Sequence, residues 1–242
     1  MKNLKNQKKV LFIVGFVILA LVLVLIIIRT QNNKTNLTTA NKLENLSADV
    51  AKAQVYTPSS NPTVSADDKI VGPKKSALTV FVYEDNASLY SAKLADTLTK
   101  IYSENQNKFT IVIRPFIPKD SLISKDAALA IECAADQNKW VEMRAFLFAK
   151  TKDANLNMSE LSVYAKQLSL DETQFSACLT NSQKSAKIEE LSSTAASYNV
   201  IGAPTVFVGD EMILGARPYA DYVDSNGDKI EGLNTIILKK LQ

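Results

Sequence analysis

The sequence predicts an α/β domain built on a mixed sheet with a helical insertion, preceded by one transmembrane helix. Three observations predict it. An unbroken apolar run near the N-terminus matches the thickness of a bilayer core. Beyond it, short segments rich in β-branched and aromatic residues alternate with segments of helical periodicity. Their order is strand, helix, strand, several helices, hairpin, helix, which gives a βαβ crossover followed by an antiparallel hairpin, with helices on both faces of the sheet.

Val10 to Ile28 is apolar throughout, interrupted only by Gly15. That is about 19 residues, or roughly 28 Å as a helix, against a hydrocarbon core of ~30 Å. Lys2, Lys5, Lys8 and Lys9 precede it. By the positive-inside rule residues 1–9 stay in the cytoplasm and everything after Arg29 lies outside, in a single-pass protein of the cell membrane. The lipid bilayer is therefore the first expected partner. The rival is a cleaved signal peptide, whose apolar region spans about 7–15 residues and ends at small residues. Here the run ends Leu25-Ile26-Ile27-Ile28-Arg29, and no cysteine follows that a lipid could modify. Residues 29–66 are rich in Asn, Thr, Ser, Lys and Ala, with only a weak helical period around Leu43 to Val55. Such a stretch buries too little apolar surface to order itself, so it is expected to be a flexible extracytoplasmic stalk, with the folded domain at 67–242.

The elements follow in order. Leu78 to Tyr83 reads as a buried strand, and Ser91 to Tyr102 as a helix with Leu94, Leu98, Ile101 and Tyr102 on one face. Phe109 to Ile113 is a second strand. A long helical region comes next: an alanine-rich piece from Ala127 to Ala135, then Trp140 to Phe148, then a helix capped by Ser159 that carries Leu161, Tyr164, Ala165 and Leu168. Asp171 with Gln174 resembles a capping box ahead of Phe175, Cys178 and Leu179. A further helix places Ile188, Leu191 and Ala195 in phase and ends near Tyr198, with Asn199 suited to the left-handed position beyond it. Thr205 to Val208 and Met212 to Leu214 form a hairpin across Gly209-Asp210, and a short helix from Leu233 to Leu241 closes the chain.

Composition excludes several chemistries. Of 242 residues, 46% are hydrophobic and 22% charged, ordinary for a globular chain. The net charge of +3 is too small to argue for nucleic acid. There is no histidine, which removes Ser-His and Cys-His catalysis and the commonest zinc ligand. The two cysteines, Cys133 and Cys178, form no Cys-x-x-Cys and cannot build a four-thiolate site. No metal and no cofactor are expected. Asp224 to Asp228 looks like the start of a calcium loop, but Lys229 and Thr235 stand where that loop needs glycine and glutamate, so Asn226-Gly227 reads as a turn.

Three segments carry a resemblance. They are Ile70-Val-Gly-Pro73 with the strand ending Tyr83-Glu-Asp85; Glu132-Cys-Ala-Ala-Asp-Gln137 with Trp140, Glu142, Met143 and Leu147-Phe148, continued by Phe175-Ser-Ala-Cys-Leu179; and Val200-Ile-Gly-Ala-Pro-Thr-Val-Phe-Val208 with Gly215-Ala-Arg-Pro-Tyr219. From about residue 67 to the C-terminus the chain resembles the DsbA-like branch of the thioredoxin superfamily, the disulfide oxidoreductases of the bacterial envelope. The resemblance implies a thioredoxin-like mixed sheet with a helical insertion. It also implies a Cys-x-x-Cys a few residues after Asp85, and this sequence has Ser88-Leu89-Tyr90-Ser91 there.

That departure changes the chemistry. Thiol–disulfide exchange needs a thiolate, which the helix N-terminus stabilises, and a serine hydroxyl supplies neither the anion nor a mixed disulfide. Ser88 and Ser91 are expected to cap the helix, and no histidine could activate either as a nucleophile. The resemblance places Cys133 and Cys178 together in the insertion, where a structural disulfide, two buried thiols and a relocated redox pair are the alternatives. It also maps Pro204 onto the family's cis-proline, beside which an extended substrate adds as a strand; a proline that merely shapes the sheet edge is the alternative. The peptide-binding candidates are thus Ser88, Leu89, Tyr90, Ser91, Ala203, Pro204 and Thr205. The expected function is a tethered DsbA-like protein that binds exported polypeptides or an envelope partner without thiol chemistry, rather than an enzyme. The alternatives are an oxidoreductase using Cys133 and Cys178, and a structural scaffold of an envelope complex.

Overall fold

The computed structural model describes the backbone of Val55–Tyr56 and residues 60–242. The apolar run Val10 to Ile28 and the weak helical period from Leu43 lie outside the described residues. Among the described residues, no helix is long and apolar enough to cross a membrane.

Among the described residues eight strands form: β1 (Val55–Tyr56), β2 (Lys69–Val71), β3 (Leu78–Glu84), β4 (Phe109–Pro115), β5 (Thr205–Val208), β6 (Glu211–Leu214), β7 (Tyr222–Val223) and β8 (Lys229–Ile230). Seven α-helices accompany them among the described residues: α1 (Leu89–Glu104), α2 (Leu122–Ala135), α3 (Trp140–Lys152), α4 (Leu161–Gln167), α5 (Glu172–Leu179), α6 (Ser182–Ser197) and α7 (Leu233–Lys240). The main sheet has the order β1-β6-β5-β3-β4-β2. Only β3 and β4 run parallel, joined through α1, and the remaining pairs are antiparallel. This is the thioredoxin-like mixed sheet with a helical insertion, α2 to α6, between β4 and β5.

The period of two along each central strand sorts side chains onto the two faces. Val80, Val82, Ile111, Ile113, Val206 and Val208 pack with Leu94, Leu98 and Ile101 of α1 and with Leu233, Ile236 and Ile237 of α7. Their neighbours Phe81, Tyr83, Val112 and Phe207 pack on the opposite face with Ala195 of α6 and Val200. The insertion has a core of its own around Leu147, Tyr164, Phe175 and Ile188. Trp140 is packed against both that core and the first sheet core.

Several expectations shift. The first helix starts at Leu89 rather than Ser91, so Ser88 is its N-cap and Ser91 lies within its first turn. Ser159 does not cap a helix: Asn157 accepts from the Ser159 backbone N–H and caps a 3-10 turn, Met158–Glu160, that leads into α4. The Asn157 side chain, two residues ahead of the Ser159 N–H, reaches that group first and takes the capping role. Asp171 caps α5 by accepting from Gln174 N–H at 2.9 Å. Asn199 takes the left-handed conformation after α6, and Gly209, at φ +61°, makes the β5–β6 turn.

The folded body also reaches back into the stretch expected to be stalk. β1 pairs with β6 at one edge of the sheet and β2 with β4 at the other, so the chain between them runs from edge to edge. Asn61 to Val64 lie beside Phe81 and Phe207, where they border a groove of about 360 Å³. Arg114 of β4 fastens this strap. It donates to the Thr63 carbonyl at 2.6 Å, to Asp68 at 2.7 and 2.9 Å, and to the Tyr83 hydroxyl at 3.0 Å. Burial opposes the Arg114 charge, yet its bonds to Asp68 and Tyr83 outweigh that and raise its pKa above the ordinary arginine value. Lys187 of α6 adds an ion pair to Asp67 at 2.6 Å, so backbone pairing and charge, rather than an apolar period, hold the strap.

Candidate functional site

The C-terminal end of β3 leads through Asp85, Asn86 and Ala87 to α1. The Asp85 carboxylate accepts from Ala87 N–H at 2.9 Å, and its carbonyl accepts from Ser88 N–H at 3.0 Å. Ser88 Oγ accepts from Ser91 N–H at 3.5 Å, the outer limit of a hydrogen bond. Ser91 Oγ, which is buried, accepts from Asp85 N–H at 3.1 Å. The two serines thus do different things: Ser88 caps weakly and Ser91 closes the loop. Leu89 is exposed, and Tyr90 is half-buried with the Lys93 ammonium 6.0 Å from its ring centre.

Across the sheet, the Ala203–Pro204 peptide bond is cis. Pro204 is buried, its carbonyl accepts from Gly215 N–H at 2.8 Å, and Thr205 Oγ1 donates to the Gly202 carbonyl at 2.7 Å. Antiparallel pairing of β3 with β5 sets Thr205 opposite Tyr83. Register therefore brings Ala203, Pro204 and Thr205 to the same end of the sheet as Ser88 to Ser91. Ile201, two residues before Ala203, is 83% exposed. An open groove of about 510 Å³ lies at this end too, between Phe116 to Lys125 and α6, with Ile117, Leu122 and Val200 in its lining.

The cysteines are elsewhere. Cys133 of α2 and Cys178 of α5 form a disulfide within the core of the insertion, and both are buried. In the C-terminal segment, the Asp224 carboxylate accepts from Asn226 and Asp228 N–H groups, which closes the turn between β7 and β8.

A thioredoxin family model, Thioredoxin_4, matches residues 64–224. The chain belongs to the thioredoxin-like family. Solved structures with the same fold include DsbA proteins. One is the thiol-disulfide exchange protein alpha-DsbA2 of Wolbachia pipientis, at 15% identity and a TM-score of 0.57, covering 73% of this chain and 86% of that one. Another is alpha-DsbA1 of Wolbachia pipientis, at 18% identity and 0.57, covering 74% and 92%. A third is the catalytic domain of Proteus mirabilis ScsC, at 17% identity and 0.58, covering 73% and 90%. No curated protein matches the chain in sequence.

For a thioredoxin-like protein, the notable feature is a charged network behind the Ser88 loop that sequence reasoning missed. Glu84, Asp85 and Asn86 are all buried. Arg144 of α3 binds both oxygens of Glu84, at 2.6 and 2.7 Å, and Asn86 donates to Glu84 at 2.8 Å. Burial is the chief cause that holds the Asp85 carboxyl above its ordinary value; bonds from Ala87 and Ser124 partly oppose it, and the Glu84 charge adds to it. The signal was present in the sequence as three polar residues ending an apolar strand and an arginine between Trp140 and Phe148. Nothing local said that these would meet.

Proposed function

We propose that this protein is an extracytoplasmic, membrane-tethered member of the thioredoxin-like family that binds extended polypeptides non-covalently at the Ser88–Ser91 and Ala203–Thr205 surface. One observation carries the reading: the helix N-terminus that would activate a thiol holds Ser88, while both cysteines of the chain are joined to each other inside the insertion. A hydroxyl there cannot form a mixed disulfide, and a buried disulfide gives an attacking thiolate no approach. What remains is a cis-proline edge with exposed Leu89 and Ile201 around it, chemistry suited to strand addition by an apolar segment. The tether rests on the apolar run Val10 to Ile28 and the basic residues before it. A coil-like stalk from Arg29 to the start of β1 has a reach of about 28 Å, enough to meet chains that emerge near the membrane.

Two measurements on the soluble part test this. In an insulin-reduction assay the wild type is expected to match background, and turnover above background that Cys133→Ala/Cys178→Ala abolishes would overturn the loss of thiol chemistry. In an amide chemical-shift titration with an unfolded apolar peptide, shifts are expected to cluster at Ser88–Ser91 and Ala203–Thr205. Shifts confined to α2–α6, or none at millimolar peptide, would transfer the role to a scaffold.

A further inference from the structure

We propose that Arg144 is a positioning residue for the site loop, holding residues 84–88 from the helical insertion through the Glu84 carboxylate; this rests on the peptide-binding reading above. Arg144 projects from α3, an insertion helix, onto the last residue of β3. Its Nε and Nη2 donate to Glu84 Oε1 and Oε2 at 2.6 and 2.7 Å, a two-point fork that fixes the plane of the carboxylate. Asn86 Nδ2 donates to the same Oε1 at 2.8 Å, two residues before Ser88. The Glu84 backbone carbonyl accepts from Phe116 N–H at 2.7 Å, so the strand end itself is fixed and the side chain is what reaches outward.

The setting argues for direction rather than bulk stability. The Glu84 side chain is 3% exposed and that of Arg144 13%. A buried ion pair is seldom more stabilising than an apolar pair of equal volume, because both ions lose their hydration. What it supplies is geometry that an apolar contact lacks. The pair also lines a small cavity of about 40 Å³ between insertion and sheet, together with Asn86, Glu132 and Trp140. Trp140 touches both cores at this junction, and Lys69 reaches Glu132 across it at 2.5 Å. A charged junction with a small cavity tolerates small shifts that a close-packed apolar one would not. In such a junction the Arg144 fork makes the loop follow the insertion.

The test replaces both charges at once, Glu84→Gln with Arg144→Met, so that no buried charge is orphaned and the bond from Asn86 keeps an acceptor. Amide hydrogen exchange at Ala87 and Ser88 is expected to quicken by about tenfold while the thermal midpoint changes little, with peptide affinity falling by a similar factor. Arg144→Lys, which keeps the charge but not the fork, is expected to fall between the two. Unchanged exchange and chemical shifts at Ala87 and Ser88 in the double variant would overturn the proposal. If that variant fails to fold, Arg144→Lys decides: faster exchange confined to 84–88 supports positioning, and a uniform loss with the melting midpoint overturns it. If the wild type binds no peptide, the peptide-binding reading falls, and loop exchange still decides the role of Arg144. Fluorescence of Trp140, the one tryptophan of the chain, adds an independent signal: peptide bound at the loop is expected to change it, and binding without a change would count against coupling across the junction.

Discussion

Ser88 and Ser91 both stand at the start of α1, yet they are not equivalent. The bond from Ser91 N–H to Ser88 Oγ is long, at 3.5 Å, and solvent can replace it. Ser88→Ala is therefore expected to lower stability by only about 0.5 kcal/mol, the low end for a lost cap. Ser91 Oγ satisfies the buried Asp85 N–H, so Ser91→Ala leaves an orphaned donor and is expected to lower stability by about 1–3 kcal/mol. Urea unfolding of both variants checks the ranking; equal losses would mean the loop is held elsewhere. Asp85 itself adds a pH dependence. Its folded pKa is raised, first by burial, so the folded state holds this proton to higher pH than the unfolded chain does. As pH rises from the unfolded value near 4 towards the folded one, the native state binds more protons and stability falls. Asp85→Asn keeps an oxygen for Ala87 N–H and removes this penalty. The variant is expected to be more stable than wild type at neutral pH, with the gap closing below about pH 4; melting curves across that range decide it.

At the scale of elements, the insertion and the strap are fastened by different means. The Cys133–Cys178 bond ties α2 to α5 across a separation of 45 residues. By loop-closure entropy such a link stabilises the fold by about 4 kcal/mol. Cys133→Ala/Cys178→Ala is expected to lose roughly that amount in denaturant unfolding, and native unreduced protein is expected to resist alkylation. Labelling of both sulfurs without reductant would refute the pairing. The strap is fastened by β1 pairing and by the Arg114 bond to the Thr63 carbonyl. A domain started at residue 67 lacks both and is expected to be less stable than one started at residue 55 by about 1.5–3 kcal/mol, the range for a hydrogen bond to a charged group. Equal melting temperatures would show that the strap merely lies on the sheet.

For the whole molecule, the two cores and the charged junction between them decide how the parts work together. The sheet carries the cis-proline edge, the insertion carries the disulfide, and Arg144 joins the insertion to the loop that precedes Ser88. The strap crosses the sheet between β1 and β2, fastened by Arg114.

The sequence by itself determined the order of the four central strands and of the helices, the hairpin at Gly209-Asp210, the left-handed Asn199 and the absence of any thiol at residues 88 and 91. Each rests on periodicity, turn chemistry or residue identity, which act over a few residues. Only the tertiary structure decided the rest. Glu84 meets Arg144 across 60 residues and Arg114 meets Asp68 across 46, and no local pattern names such partners. The strap across the sheet and the split roles of Ser88 and Ser91 belong to the same class. A charged side chain takes its partner from where the fold carries it once burial has removed water as the alternative, and that choice is made in three dimensions.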